Sequence, residues 1–207
     1  MQTKEQSTRE KILRAAKAEF LEKGFQAASL RSIVKEAGVT TGALYGYYES
    51  KEALFDALVE ECHTHFLSAY QNALDAFDRL PIEQQPERMS TVSQACMENL
   101  LLYMFDHREQ FHLLLLCAEG TRYSLLKEDL VRMEVNAAHR YYLVLEKLGT
   151  PVLHIDSRLE HILVTGLMNA FFEMIIHDMP LADAQQYLRE LHSFYVAGWR
   201  KIMGQEG

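Results

Sequence analysis

The stretch from Ser29 to Lys51, SLRSIVKEAGVTTGALYGYYESK, leaves the chain little choice of local structure. Leu30, Ile33, Val34 and Ala37 recur at i, i+3, i+4 and i+7, the one-sided apolar spacing of a short helix resting on a core. Ser29 stands where an N-cap belongs. Gly38 follows the last periodic residue, where a left-handed C′ position is open to a residue without Cβ. A second helix is expected from about Thr41 to Tyr48, capped by Thr40 or Thr41, with Leu44 and Tyr48 four apart on its inward face. Opposite them, at about 100° per residue, lie Gly42, Ala43 and Gly46, with Tyr45 and Tyr47 flanking the seam. Each glycine weakens a helix interior by about 1 kcal/mol relative to alanine, so a face stripped of side chains implies a surface that must come close. Backbone N–H groups and small side chains can then reach phosphates and base edges, and Tyr45, Tyr47 and Lys51 supply phosphate donors.

The run Gly38-Val39-Thr40-Thr41-Gly42-Ala43-Leu44-Tyr45, followed by Tyr47-Tyr48 and Ser50-Lys51-Glu52-Ala53-Leu54, resembles the N-terminal helix-turn-helix of the TetR family of bacterial transcriptional regulators. Gly46 stands where that family more often has a bulkier residue, and Tyr47-Tyr48 where His-Phe is commoner, departures that bear on base preference rather than fold. The resemblance implies an all-α chain of about nine helices. Residues 1–50 would form a three-helix DNA-binding domain, and 51–207 a helical effector-binding and dimerisation domain. It also implies DNA contacts from Ser29, Arg31, Thr40, Thr41, Gly42, Ala43, Tyr45, Tyr47 and Lys51, with Arg31 reaching a phosphate or base edge by its position in the family.

The rest of the chain reads as helices. Ser7-Thr8-Arg9-Glu10 has the form of a capping box. Ile12, Leu13, Ala16 and Phe20 keep one stripe after it, and Gly24 provides the stop. Ser50 caps a long helix, roughly Lys51 to Phe77, spanning about 40 Å at about 1.5 Å per residue. Arg79 to Pro86, RLPIEQQP, carries two prolines and is the best linker. Beyond it, helical patterns cover about Glu87–Asp106, Glu109–Ala118, Thr121–Leu148, Ser157–Asp178 and Leu181–Met203, with a second capping box at Ser157-Arg158-Leu159-Glu160.

Charge is divided unevenly. Residues 1–52 carry nine Lys or Arg against seven Asp or Glu, and the remainder twelve against twenty-two, within a net charge of −8. A weakly basic head on an acidic body can orient on DNA, because affinity follows local phosphate contacts. The longest apolar runs, Leu100–Phe105 and Leu113–Ala118, are six residues each, against about 20 needed to span a bilayer. Thr3–Arg9 are polar or charged, unlike a secretory segment. A cytoplasmic protein without a membrane partner is expected. Cys62, Cys96 and Cys117 are widely spaced and lack a CxxC, which points to buried thiols rather than a disulfide framework, with a thiol sensor as the alternative.

In Leu159–Ile176 apolar residues almost encircle the helix, which implies burial on all sides. With the last helix it would form a four-helix dimer interface of the kind the resemblance implies, through Leu163, Gly166, Leu167, Leu191, Tyr195, Gly198 and Trp199. Dimerisation would place two readers on the half-sites of a palindromic double-stranded operator, about 34 Å apart. Between the middle helices, Phe66, Tyr70, Tyr103, Phe111, Tyr123, Tyr142, Phe171 and Met174 suit a pocket for an apolar or aromatic small-molecule effector. Glu173 and His177, at i and i+4, could share a metal ion, but two ligands fall short of a metal site. No nucleophile, phosphate-cradle or metalloprotease motif is present, so no catalytic residue or cofactor is expected. A helical dimeric adaptor, or a metal- or thiol-responsive regulator, is the alternative reading.

Overall fold

The computed structural model describes residues 2–204, with side chains from Thr8 onward. Among these residues nine α-helices follow one another: α1 (Gln2–Ala27), α2 (Leu30–Ala37), α3 (Thr41–Tyr45), α4 (Lys51–Asp78), α5 (Gln85–Asp106), α6 (Arg108–His112), α7 (Leu126–Lys147), α8 (Ser157–Ile176) and α9 (Leu181–Ile202). The described chain contains no strand, and the fold is all-α.

Helix α1 already runs from Gln2, so Ser7–Glu10 lies within it and does not begin it. The Ser7 side chain lies outside the described set. Gly24, at φ 71 and ψ 167, breaks the helical geometry of α1 at the expected stop. At Gly38, φ is 65 and ψ 34. The Gly38 N–H donates to the Lys35 carbonyl at 3.2 Å and the Val39 N–H to the Val34 carbonyl at 3.1 Å, the paired bonds that close a helix through a left-handed residue. Ser29 takes the N-cap backbone position of α2, but its side chain makes no capping bond. Its N–H instead donates to Glu19 Oε1 at 3.0 Å. Glu19 is 8 % exposed, and its carboxyl is held below its ordinary pKa, first by the Lys23 ammonium at 2.8 Å.

Packing divides the chain differently from a boundary at Ser50. One compact unit takes in the chain up to His65 together with His107–Leu126; the other takes in Phe66–Asp106 and the chain from Lys127. The first unit needs the start of α4 for its core. Phe55 lies edge-on to Phe20 and Phe25, with ring centres 5.1 and 5.4 Å away, and 6.0 Å from the Tyr123 ring. Arg122 ties the same pieces together through Glu60 at 2.7 Å and Asp56 at 3.4 Å. The segment expected as one helix from Glu109 to Ala118 is the short α6 followed by a π-helical turn, Leu113–Cys117. This wider winding leaves Leu113, Leu114, Cys117 and Ala118 all buried while Leu116 stands exposed.

The second unit holds the end of α4 with α5, α7, α8 and α9. Arg79–Pro86 does not link the two units, because both sides of it belong to this one. It is a turn closed by buried Gln85, whose Nε2 donates to the Leu80 carbonyl at 3.1 Å. Helix α8 is capped by Asp156 rather than by Ser157, with the carboxylate accepting from the Arg158 N–H at 2.9 Å. Glu160 does not fold back onto Ser157. It is 1 % exposed and bonded instead to His139 Nε2 at 2.7 Å and the Tyr142 hydroxyl at 3.1 Å. By length and composition α8 could cross a membrane; here Val164, Leu167, Met168, Phe171, Phe172 and Ile175 pack it into the core, while Leu159 and Ile162 remain exposed.

Candidate nucleic-acid interface and ligand cavity

The short helix α3 is the best-defined candidate surface of the first unit. Thr40 caps it, Oγ1 accepting from the Ala43 N–H at 3.1 Å. The helix ends at Tyr45, three residues before the expected end. The N–H groups of Tyr47 and Tyr48 converge on the Leu44 carbonyl at 2.9 Å each, which winds the chain into a turn. That turn still puts Leu44 and Tyr48 on the inside, at 0 % and 7 % exposure. Thr41, Gly42, Tyr45, Gly46 and Tyr47 are exposed, and Ala43 is half-buried. A Cβ built on Gly42 would meet no atom within 4 Å, so the outer face of α3 is open backbone. Arg31, in the first turn of α2, is exposed, whereas Ser29 is half-buried.

Lys51 is placed differently from a free phosphate donor. Its Nζ donates to the carbonyls of Gln26 at 3.1 Å and Ala28 at 3.2 Å, and stands 4.6 Å from the centre of the Phe25 ring. Its charge meets the end of α1, where helix carbonyls carry partial negative charge. Ser50 caps α4 as expected, accepting from the Ala53 N–H at 3.0 Å. Nothing in the local pattern of Lys51 distinguishes a brace from a donor, because the carbonyls it reaches are more than twenty residues away.

The second unit encloses a cavity of about 180 Å³. An apolar cavity of about 150 Å³ is enough to take up benzene. Of the residues expected to line a pocket, Phe66, Tyr70, Tyr142 and Phe171 do so; Tyr103 and Met174 do not, and Phe111 and Tyr123 belong to the first unit. Tyr195 and Trp199, expected at a dimer interface, line the cavity. Leu167 is buried. Leu163, Gly166, Leu191 and Gly198 are half-buried. At Gly166 a Cβ would stand 2.8 Å from the Tyr195 hydroxyl, so this glycine admits Tyr195 within the chain itself.

Polar groups in the cavity wall come in pairs. The Tyr70 hydroxyl donates to Glu134 Oε2, and Ser93 Oγ is hydrogen-bonded to His192 Nε2 at 2.7 Å. Burial pushes up the pKa values of Tyr70 and Glu134, and that of Cys96 to about 12, which keeps this thiol protonated and unreactive at neutral pH. Burial lowers that of His192. Glu173 and His177 pair with each other at 2.7 Å. Among the described residues, no three His, Cys, Asp or Glu side chains gather where they could hold a metal ion. Sequence reasoning missed Glu134, Ser93 and His192 because their pairings, Tyr70 with Glu134 and Ser93 with His192, join residues 64 and 99 positions apart.

Residues 12–58 match the model described as bacterial regulatory proteins, tetR family. The chain is 37 % identical over 75 residues to the HTH-type transcriptional regulator UidR of Escherichia coli K12; the shared stretch covers 36 % of this chain and 38 % of that relative. A transcriptional regulator structure from Aquifex aeolicus VF5 is 25 % identical with a TM-score of 0.51, covering 88 % of this chain and 96 % of that one. SmeT, the repressor of the Stenotrophomonas maltophilia multidrug efflux pump SmeDEF, shares the fold at 19 % identity and a TM-score of 0.58, over 93 % of this chain and 92 % of that one. The N-terminal segment, residues 12–58, thus carries the helix-turn-helix that the tetR family of bacterial regulatory proteins shares, and the rest of the chain is similar to the solved regulators in fold.

Proposed function

We propose that the protein is a cytoplasmic transcriptional repressor that binds a palindromic DNA operator as a homodimer and leaves it when a small apolar or aromatic molecule enters the cavity of the second unit. The observation that carries the DNA-binding reading is the outer face of α3, where Thr41, Gly42, Tyr45, Gly46 and Tyr47 present open backbone and hydroxyls with no side chain crowding Gly42. A short face of this kind touches few bases, so useful affinity requires two copies on two half-sites. Exposed Leu159 and Ile162 on α8, with Tyr187 and Phe194 on α9, support self-association, since large apolar side chains in such a row seek cover. The names of UidR as a transcriptional regulator and SmeT as a repressor support the mode of action.

Effector binding would act as a population shift, favouring the form whose paired readers no longer match the half-site spacing. Helix α4, unbroken from Lys51 to Asp78 and with residues in both units, is the covalent route for it. Fluorescence anisotropy on pools of random palindromic duplexes tests the proposal. Sequence-selective binding whose affinity falls steeply with salt supports it; indifference to every duplex at low ionic strength rejects it.

A further inference from the structure

The cavity of the second unit is apolar but contains an unevenly charged wall. Glu134 lines it from α7 and accepts the hydroxyl of Tyr70, which comes from α4. Among the described lining residues there is no lysine or arginine. Arg140, on the same helix, acts on Glu134 through its charge, but it donates its Nε to Asp78 at 2.7 Å and does not line the cavity. His192, the one other titratable base in the wall, is tied to Ser93. The remaining lining is aromatic and aliphatic, including Phe66, Phe171 and Trp199.

A carboxyl group in this setting selects among ligands by charge. An anionic ligand would bring its negative charge into a low-dielectric space whose lining holds no lysine or arginine, which is heavily disfavoured. A neutral ligand gains only its apolar burial and one hydrogen bond. A protonated amine brings Glu134 a cation inside the cavity, through a charge-assisted hydrogen bond beside that from Tyr70, while its apolar body fills the rest of the cavity. Burial favours the protonated carboxyl in the empty cavity, and an arriving ammonium reverses this by stabilising the carboxylate.

We infer that the effector is a cationic amphiphile, a protonated amine on an aromatic or aliphatic body, held by Glu134 with Tyr70 as the positioning donor. This rests on the effector-cavity reading above and narrows it to one charge class.

The test uses the full chain and three probes of one shape: 4-phenylbutylamine, 4-phenylbutanol and 4-phenylbutyrate. Trp199, the sole tryptophan of the sequence, lines the cavity and reports binding by its emission. The amine should bind at least tenfold more tightly than the alcohol, and the carboxylate more weakly than either. Glu134→Gln, which keeps the shape and an acceptor for Tyr70, should bring the amine to within about threefold of the alcohol. Equal affinity for amine and alcohol in the unaltered protein, tightest binding of the carboxylate, or no emission change with any probe overturns the inference. Anisotropy on operator pools is read separately. A protein that binds duplex but does not prefer the amine loses this inference alone, whereas one that takes the amine and ignores all duplexes loses the regulator reading alone.

Discussion

Lys51 shows how much a single side chain's role depends on what it can reach. Its ammonium holds two carbonyls at the end of α1 and lies over Phe25, so it braces the approach of α1 to α4 within the first unit. Lys51→Ala should lower the unfolding free energy by about 1–2 kcal/mol, the sum expected from charged hydrogen bonds and a partly exposed cation–π contact. Urea denaturation measures this, and an unchanged midpoint would return Lys51 to the role of a free phosphate donor. The two glycines of the helix-turn-helix should separate in the same assay. Gly38 has φ 65, and Gly38→Ala should destabilise by about 1–2 kcal/mol because Cβ meets the following carbonyl there. Gly42 has open space and an ordinary φ. Gly42→Ala should leave stability unchanged or raise it by up to about 1 kcal/mol, yet weaken operator binding by roughly tenfold, about 1.4 kcal/mol. An unchanged operator affinity would mean that the bare face of α3 is not what meets DNA.

At the scale of the element, helix boundaries were legible as places more readily than as partners. Gly24, Gly38 and Ser50 do what their types suggest, since the conformational freedom of glycine and the short reach of serine are local properties. Ser29 and Ser157 occupy capping neighbourhoods without capping: Glu19 instead accepts from the N–H of Ser29 itself, and Asp156, one residue before Ser157, caps α8 through the Arg158 N–H. The Asp156 carboxyl is held at about 2, first by its hydrogen bonds to the Arg158 side chain and then by the backbone N–H. Its folded value lies below the unfolded one of about 3.9, so its contribution is present above pH about 4 and lost as pH falls through about 2. Asp156→Ala should therefore unfold more readily than the unaltered chain at pH 7, and the two should converge near pH 2. Convergence already at pH 4 would show that the carboxylate is not held by this cap.

For the whole molecule, the exposed rows on α8 and α9 are the faces on which the proposed self-association is tested. Ile162 is 64 % exposed and Phe194 72 %, the most exposed large apolar side chains of α8 and α9. Placing glutamate at both, Ile162→Glu with Phe194→Glu, should leave only the 23.9 kDa chain in sedimentation at micromolar concentration. It should also reduce affinity for a full palindrome to that for a single half-site. A double variant that still sediments at twice the chain mass would move the interface elsewhere. The same scale holds the limit of what could be read in advance. The amphipathic spacing of Leu163, Leu167, Tyr195 and Trp199 identified apolar faces, but could not say which side of each helix met its own chain and which met a partner. Leu167 went to the core, Tyr195 and Trp199 to the cavity, and Ile162 and Phe194 to the surface.

Helix content, the turn glycines, the two-helix reader and its inward pair Leu44 and Tyr48 were all decided by sequence, because periodicity and φ preferences act over a few residues. The division of the chain at His65, the bracing of Lys51, the π-helical turn at Leu113–Cys117 and the pairing of Tyr70 with Glu134 were decided only by tertiary structure. Each joins or accommodates groups far apart along the chain, and which of many apolar or polar residues meets which is settled by close packing, where one side chain's position excludes another's.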